Sequence, residues 1–252
     1  MRKIAVITGA SSGIGKEFAI QISKKYNTIE EIWIIARRTE KLNEVKKEIN
    51  GKLVRVLSLD LSKDADITFY KSLLERQNPS IRLLVNAAGY GICGHFDETS
   101  YEDNIGMIDL NCKALTAMTY ISLPYMSSPA NIINVASSAG FLPQPSFSVY
   151  AATKSMVLSF SRALNQELFD RNITVTAVCP GPVKTEFFNI AERNTNTKAY
   201  KYLFRVNPKH VVRKALLDSF YFKDVSVYSL PIKVFRLFAK IIPHGILIPF
   251  IK

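Results

Sequence analysis

The chain has 252 residues, 48% of them hydrophobic and 21% charged. That balance describes a globular chain of single-domain size and excludes disorder, collagen and coiled coil. Thirty-three Lys and Arg against 21 Asp and Glu leave a net charge of +12, which favours phosphates, carboxylates, nucleic acid or an anionic lipid surface without choosing among them.

In chain order, the amino terminus carries two basic residues and a short apolar run before Thr8 and Gly9. A signal peptide needs a longer apolar region, so KIAVIT reads as a first strand. A glycine-rich turn follows and opens a helix from Gly13. EIWIIA is the next strand, with a helix from Thr39, and LVRVLSL the third, with a helix around Ala65 to Arg76. IRLLVNAAG then precedes a helix expected over Tyr101 to Met126. NIINVAS, a long helix from about Val149 to Asp170, and ITVTAVCPG complete the rhythm.

Residues 114 to 153 contain no Asp, Glu, Lys or Arg, but their apolar runs are too short to span a bilayer, so they read as packed interior. Strands alternating with helices at this spacing imply right-handed crossovers and an α/β fold with a doubly wound parallel sheet between helical layers. The strands lack strict polar alternation, as burial on both faces requires. No linker divides the chain, which reads as a single domain over 1–252.

Within that domain, residues 184–223 are polar and mixed and read as a substrate lid, with Phe187, Phe188, Tyr200, Tyr202 and Phe204 as its aromatic residues. Residues 225–252 form an apolar and basic tail. It holds no acid after Asp224, and Lys233, Arg236 and Lys240 fall at i, i+3, i+7, in one helical stripe.

The turn Thr8-Gly9-Ala10-Ser11-Ser12-Gly13-Ile14-Gly15 lies between a strand and a helix, where helix N–H groups and dipole would meet a phosphate. Gly9 suits the tight turn, Gly13 a close approach to pyrophosphate, and Gly15 close helix packing. After the second strand, where an acidic residue would select NAD, the sequence has Arg37 and Arg38 instead. Paired guanidiniums match a 2′-phosphate, so the expected cofactor is NADP(H).

Tyr150 and Lys154 are four apart in a helical pattern and point the same way. Ser137 follows a buried strand, and its loop returns towards the tyrosine. A tyrosine is a poor base at neutral pH, and a neighbouring ammonium is expected to lower its pKa, so the three form a plausible acid/base unit.

The ordered motifs resemble the short-chain dehydrogenase/reductase family over about residues 3 to 187. TGASSGIG is similar to its cofactor turn, Asn86-Ala87-Ala88-Gly89 to its NAG-type motif, and Ser137, Tyr150 and Lys154 to its catalytic trio. Asn111 in DLNCKA and the run Pro180 to Thr185 complete the likeness. The resemblance implies a Rossmann-like fold and hydride transfer between a nicotinamide and a substrate carbon. It gives Tyr150 the proton transfer, Ser137 a hydrogen bond to the reacting oxygen, and Lys154 the nicotinamide ribose. Asn111 would hold a relay water. Asp60 and Leu61 would contact adenine, Pro180, Gly181, Val183 and Thr185 would seat the carboxamide end, and Asn86, Ala87 and Gly89 would support the pocket.

The family's usual close, a strand followed by a glycine-rich turn, is absent from the tail pattern. Three readings of the tail stand: a cover for an apolar pocket or subunit contact, a peripheral contact with anionic lipid, or an ordinary terminal helix. A homodimer is expected, with a tetramer as the alternative. Cys93, Cys112 and Cys179, an odd set without CxxC, read as reduced thiols in a cytoplasmic protein. His95, His210 and His244 lack ligand spacing, so no metal is expected, and the lysine-rich helices mix acids with bases, which argues against nucleic acid. The expected activity is NADP(H)-dependent interconversion of a secondary alcohol and an apolar ketone, such as a hydroxysteroid or lipid-like ketone. The alternative is an NADP(H)-binding sensor or membrane-associated scaffold without turnover.

Overall fold

The computed structural model describes residues 1–192 and 205–250. Its strands are β1 (Lys3–Thr8), β2 (Glu31–Ala36), β3 (Leu53–Ser58), β4 (Ser80–Asn86), β5 (Met126–Val135), β6 (Ile173–Val178) and β7 (Val225–Ser226). They form a seven-stranded sheet in the order β3-β2-β1-β4-β5-β6-β7, with every pairing parallel. The chain winds outward from β1 in one direction and, from β4, in the other. The crevice at the carboxyl ends of β1 and β4 is therefore the topological switch point, where open α/β sheets bind ligands.

The helices that cover the sheet are α1 (Gly13–Lys25), α2 (Thr39–Glu48), α3 (Asp64–Gln77), α4 (Tyr101–Ile108), α5 (Leu115–Ser122), α6 (Ser148–Glu167), α7 (Phe187–Ala191), α8 (Pro208–Phe220), α9 (Leu230–Ile241) and α10 (His244–Leu247). Alternate residues of β1 feed two separate cores. Ala5 and Ile7 pack with Phe18 and Ile22 of α1 and Val212 and Leu216 of α8, whereas Ile4 and Val6 pack with Leu74 of α3 and Met118 of α5. Two-sided burial explains the unbroken apolar runs of the central strands. The chain's single tryptophan, Trp33, is 1% exposed on β2, edge-on to Tyr70 at 6.5 Å between centroids.

The fold corrects two expectations. The helix read over Tyr101 to Met126 is interrupted by a π-turn at Asp109–Ala114 and ends at Ser122, after which a short 3-10 turn leads directly into β5. Pro124, which has no N–H to donate to the preceding turn, accounts for the stop. The second is the seventh strand. The tail region starts with β7, whose two residues pair with Ala177 and Val178 of β6. Asp218 of α8 anchors it by accepting hydrogen bonds from Ser226 at 2.8 Å and Lys214 at 2.6 Å.

Candidate active site

A cleft of about 510 Å³ opens at the switch point and runs from the end of β2 to the start of α6. Its volume lies within the roughly 300–1,000 Å³ usual for small-molecule sites. One end is lined by the β1–α1 turn, Arg37, Arg38, Asp60 and Leu61. The other is lined by Ser137, Tyr150, Lys154 and the loop from Pro180 to Thr185.

The glycine turn is built by close approach. Gly9 has φ +66° and abuts the Ala87 backbone, where a Cβ would lie 2.7 Å from the carbonyl carbon. A side chain there would meet both strain and clash. Gly15 faces the Gly9 carbonyl so closely that any Cβ would collide with it, which brings the start of α1 onto the turn. Ser12 caps α1 without a side-chain capping hydrogen bond, so its hydroxyl leaves the helix's first N–H groups to a ligand. This cradle, with Ser11, Ser12, Gly13 and Ile14 on its wall, fits a pyrophosphate.

Arg37 and Arg38 both line the adenosine end. Arg38 donates to Ser11 Oγ at 3.3 Å and pairs with Glu186 at 2.8 Å. Arg38 holds the Glu186 carboxyl below its ordinary value, assisted by Ser12 and opposed by slight burial. Burial pushes the Asp60 carboxyl up, but hydrogen bonds from the Ser62 hydroxyl and N–H, with Arg37 nearby, outweigh it and leave Asp60 below its usual range.

At the other end, α6 presents Tyr150 and Lys154 inward, both buried. Tyr150 stacks on Phe147 at 4.3 Å between centroids and meets Phe187 of α7 at 5.5 Å. Burial pushes its phenol pKa well above the ordinary value, and a hydrogen bond with the Ser137 side chain pulls weakly the other way. The lowering expected from Lys154 does not prevail. The ammonium donates to the Val135 carbonyl at 2.8 Å and lies 5.7 Å from the Tyr150 ring centroid, and desolvation brings its own pKa down to about 8.

Thr8, Asn86 and Asn111 lie outside the cleft lining and brace it from behind. Thr8 Oγ1 accepts from the N–H groups of Ala87 and Ala88 at 3.0 and 3.1 Å, stapling the end of β1 to that of β4. Asn86 donates to Thr119 and Asn134 in the buried interior. Asn111, in the π-turn, accepts from Tyr90 N–H at 3.0 Å and donates to the Tyr90 carbonyl and Thr153 Oγ1. Its side chain is thus spent on the Tyr90 loop, and together with Lys154 Nζ it abuts Gly89. His95 is exposed and does not line the cleft.

The described residues on either side of 193–204 are tied to the body of the molecule. Val183 and Val206 form a parallel bridge, Cys93 N–H donates to the Ala191 carbonyl at 2.8 Å, and Arg205 lies over the Phe188 ring at 4.1 Å. Phe187, Phe188 and Ile190 face the cleft, and Tyr200, Tyr202 and Phe204 lie outside the described residues. Sequence reasoning missed Tyr90, Leu110, Gln144, Phe147 and Glu186, which also line the cleft. Only Phe147 carried a local signal, three residues before Tyr150.

The model for short chain dehydrogenase matches residues 3–196. The chain belongs to the short-chain dehydrogenase family. It is an oxidoreductase of that family, and its relatives show the range the fold serves. The chain is 33% identical over 223 residues to an NADP-dependent 3-hydroxy acid dehydrogenase of Schizosaccharomyces pombe, with 85% of each chain covered. It is 32% identical over 185 residues to an uncharacterized oxidoreductase of Staphylococcus epidermidis, with 73% of this chain and 79% of the relative covered. A short-chain dehydrogenase from Sphingobium yanoikuyae, solved with NADPH, superposes with a TM-score of 0.78 at 29% identity, covering 91% of this chain and 88% of that one.

Among the described residues, no helix is long and apolar enough to cross a membrane, and no three His, Cys, Asp or Glu side chains cluster as a metal site.

Proposed function

We propose that the chain is an NADP(H)-dependent oxidoreductase that interconverts a secondary alcohol and an apolar ketone. The observation that carries this reading is a single cleft with Ser137, Tyr150 and Lys154 at one end and Arg37 with Arg38 at the other. When bound, the nicotinamide cofactor supplies or accepts the hydride. Arg37 and Arg38 would hold a 2′-phosphate, Ser11, Ser12 and the N-terminus of α1 the pyrophosphate, and Pro180 to Thr185 the carboxamide end.

The chain's own residues handle the proton. With its pKa raised by burial, Tyr150 is a protonated phenol across the neutral range, the state needed to donate to a ketone oxygen. Ser137 bonds the Tyr150 side chain, so both hydroxyls converge where that oxygen gains negative charge, and donors fixed there favour the transition state over the ground state. Lys154 supplies positive potential beside the phenol, and Asn111 steadies the Tyr90 wall.

An apolar ketone is favoured by the aromatic rings of Phe147 and Phe187, which contact Tyr150 on the cleft wall. The relative in Schizosaccharomyces pombe, a 3-hydroxy acid dehydrogenase, suggests a carboxylate on such a substrate, which the +12 chain would tolerate.

The test is the initial rate with NADPH/NADP⁺ and NADH/NAD⁺, side by side, across ketosteroids, hydroxysteroids, 3-hydroxy acids and medium-chain ketones. Turnover with preference for NADP(H) is expected. Preference for NAD(H) would overturn the reading of Arg37 and Arg38, and NADPH binding without turnover on any substrate would overturn the catalytic reading in favour of a sensor.

A further inference from the structure

The outer face of α9 departs from what an ordinary terminal helix presents. At about 100° per residue, its side chains sort into three sectors. Ile232, Phe235 and Ala239 face the body of the molecule. Ile232 packs against Gly181, the Phe235 ring lies 6.3 Å from that of Phe141, and Ala239 is buried. This inner sector alone would suffice to dock the helix.

On the opposite side, Leu230, Val234, Leu237, Phe238 and Ile241 follow i, i+4, i+7, i+8, i+11 and share one sector about 100° wide. They are between 43% and 73% exposed, so the helix is apolar on the side that faces away from the protein as well as on the side that faces it. Beyond Pro243 the pattern continues, with Ile246 57% and Phe250 84% exposed. A contiguous outward patch of this kind marks an interaction surface.

The flank selects the partner. Lys233, Arg236 and Lys240 form a basic stripe beside the outward apolar sector, and no Asp or Glu follows Asp224. Two copies paired through this face by a twofold axis would set like stripes side by side with no acid on either tail to offset them. An anionic bilayer presents the complement, hydrocarbon beneath a negative headgroup layer.

We infer that α9 and the segment after it dock the protein on the surface of an anionic lipid bilayer. The outward sector beds in the headgroup boundary, Lys233 and Lys240 of the basic stripe meet anionic headgroups, and the inner sector with Arg236 keeps the helix on the body. The helix has 12 residues, a length suited to lying in the interface and far short of a span. Because Phe235 and Arg236 sit on Phe141, in the turn that follows Ser137, docking holds the cleft close to the membrane. An apolar ketone dissolved in that membrane then becomes the substrate at hand, an extension that rests on the catalytic reading above.

The experiment is cosedimentation of the full chain with vesicles of phosphatidylcholine alone and of phosphatidylcholine with one third phosphatidylglycerol. Binding to the anionic vesicles, at least tenfold stronger than to the neutral ones and released by salt, is expected. The double variant L237S/F238S and the double variant K233E/K240E should each lose at least tenfold in binding. Both should keep NADPH affinity and turnover of a water-soluble ketone, which shows that they fold. Failure of the native chain to bind either vesicle, or anionic binding untouched by both variants, would overturn the inference. So would a dimer in sedimentation equilibrium that L237S/F238S dissociates, since the face would then belong to a second copy. The vesicle measurement uses no turnover, so it stands or falls apart from the catalytic reading.

Discussion

Lys154 provides a quantitative check of the site's electrostatics. Desolvation takes its pKa from 10.5 to about 8, which at roughly 1.4 kcal/mol per tenfold change is a cost of about 3 kcal/mol to folding at neutral pH. The folded state holds this proton less tightly than the unfolded chain does. Stability therefore rises with pH between about 8 and 10.5, and the cost is felt in full below that window. Lys154→Met keeps most of the apolar stem and removes the charge, while leaving the Val135 carbonyl without its donor, an offset of about 1 kcal/mol that barely changes with pH. Urea unfolding of both proteins, followed by circular dichroism at pH 7 and pH 10, isolates the effect, because every other titrating group is common to the pair. The native chain should gain roughly 2–3 kcal/mol on the variant between the two pH values. A difference that stays constant would refute the burial argument.

Tyr150→Phe keeps the stacking on Phe147 and loses the proton, so kcat should fall by about 10²–10⁴ with NADPH affinity unchanged in fluorescence titration. Arg38→Ala should weaken NADPH about tenfold or more and leave NADH within about twofold, whereas Glu186→Gln, which frees Arg38 from its carboxylate, should tighten NADPH in the same titration. Asp218→Asn should cost about 2 kcal/mol at neutral pH in denaturant unfolding. Burial raises the Asp218 pKa, but Lys214, Ser226 and Lys223 outweigh it and hold the carboxyl low. Its contribution is accordingly present above the unfolded value and lost as pH falls through the folded one, so the Asn variant's deficit should shrink in acid.

The central strands were legible in the sequence because burial on both faces leaves a plain apolar run, as in KIAVIT, EIWIIA and ITVTAV. The edges were not. Val225–Ser226 is too short to make a pattern and exists as a strand through its register with β6, and Met126–Ser127–Ser128–Pro129 lacks strand-forming residues but begins β5 through the pairing of Ile81 with Met126. In the site, Tyr150 and Lys154 were legible because their spacing is local. Tyr90 and Glu186 reach the cleft, and the Asn111 side chain reaches Tyr90 and Thr153, through tertiary packing that no spacing encodes. The tyrosine pKa ran against expectation because burial of the phenol, which the local spacing of Tyr150 and Lys154 does not report, outweighs the groups around it.

Trp33 lies buried on β2, the strand that ends one residue short of Arg37 and Arg38. A sole indole in that position is a built-in optical reporter. Its blue-shifted emission belongs to the folded sheet and moves to the red when the sheet comes apart, so denaturation can be followed without a label. The same emission overlaps the absorption of a reduced nicotinamide, so energy transfer to a ligand in the neighbouring cleft would quench it. One residue then reports both equilibria, folding through its wavelength and cofactor binding through its intensity.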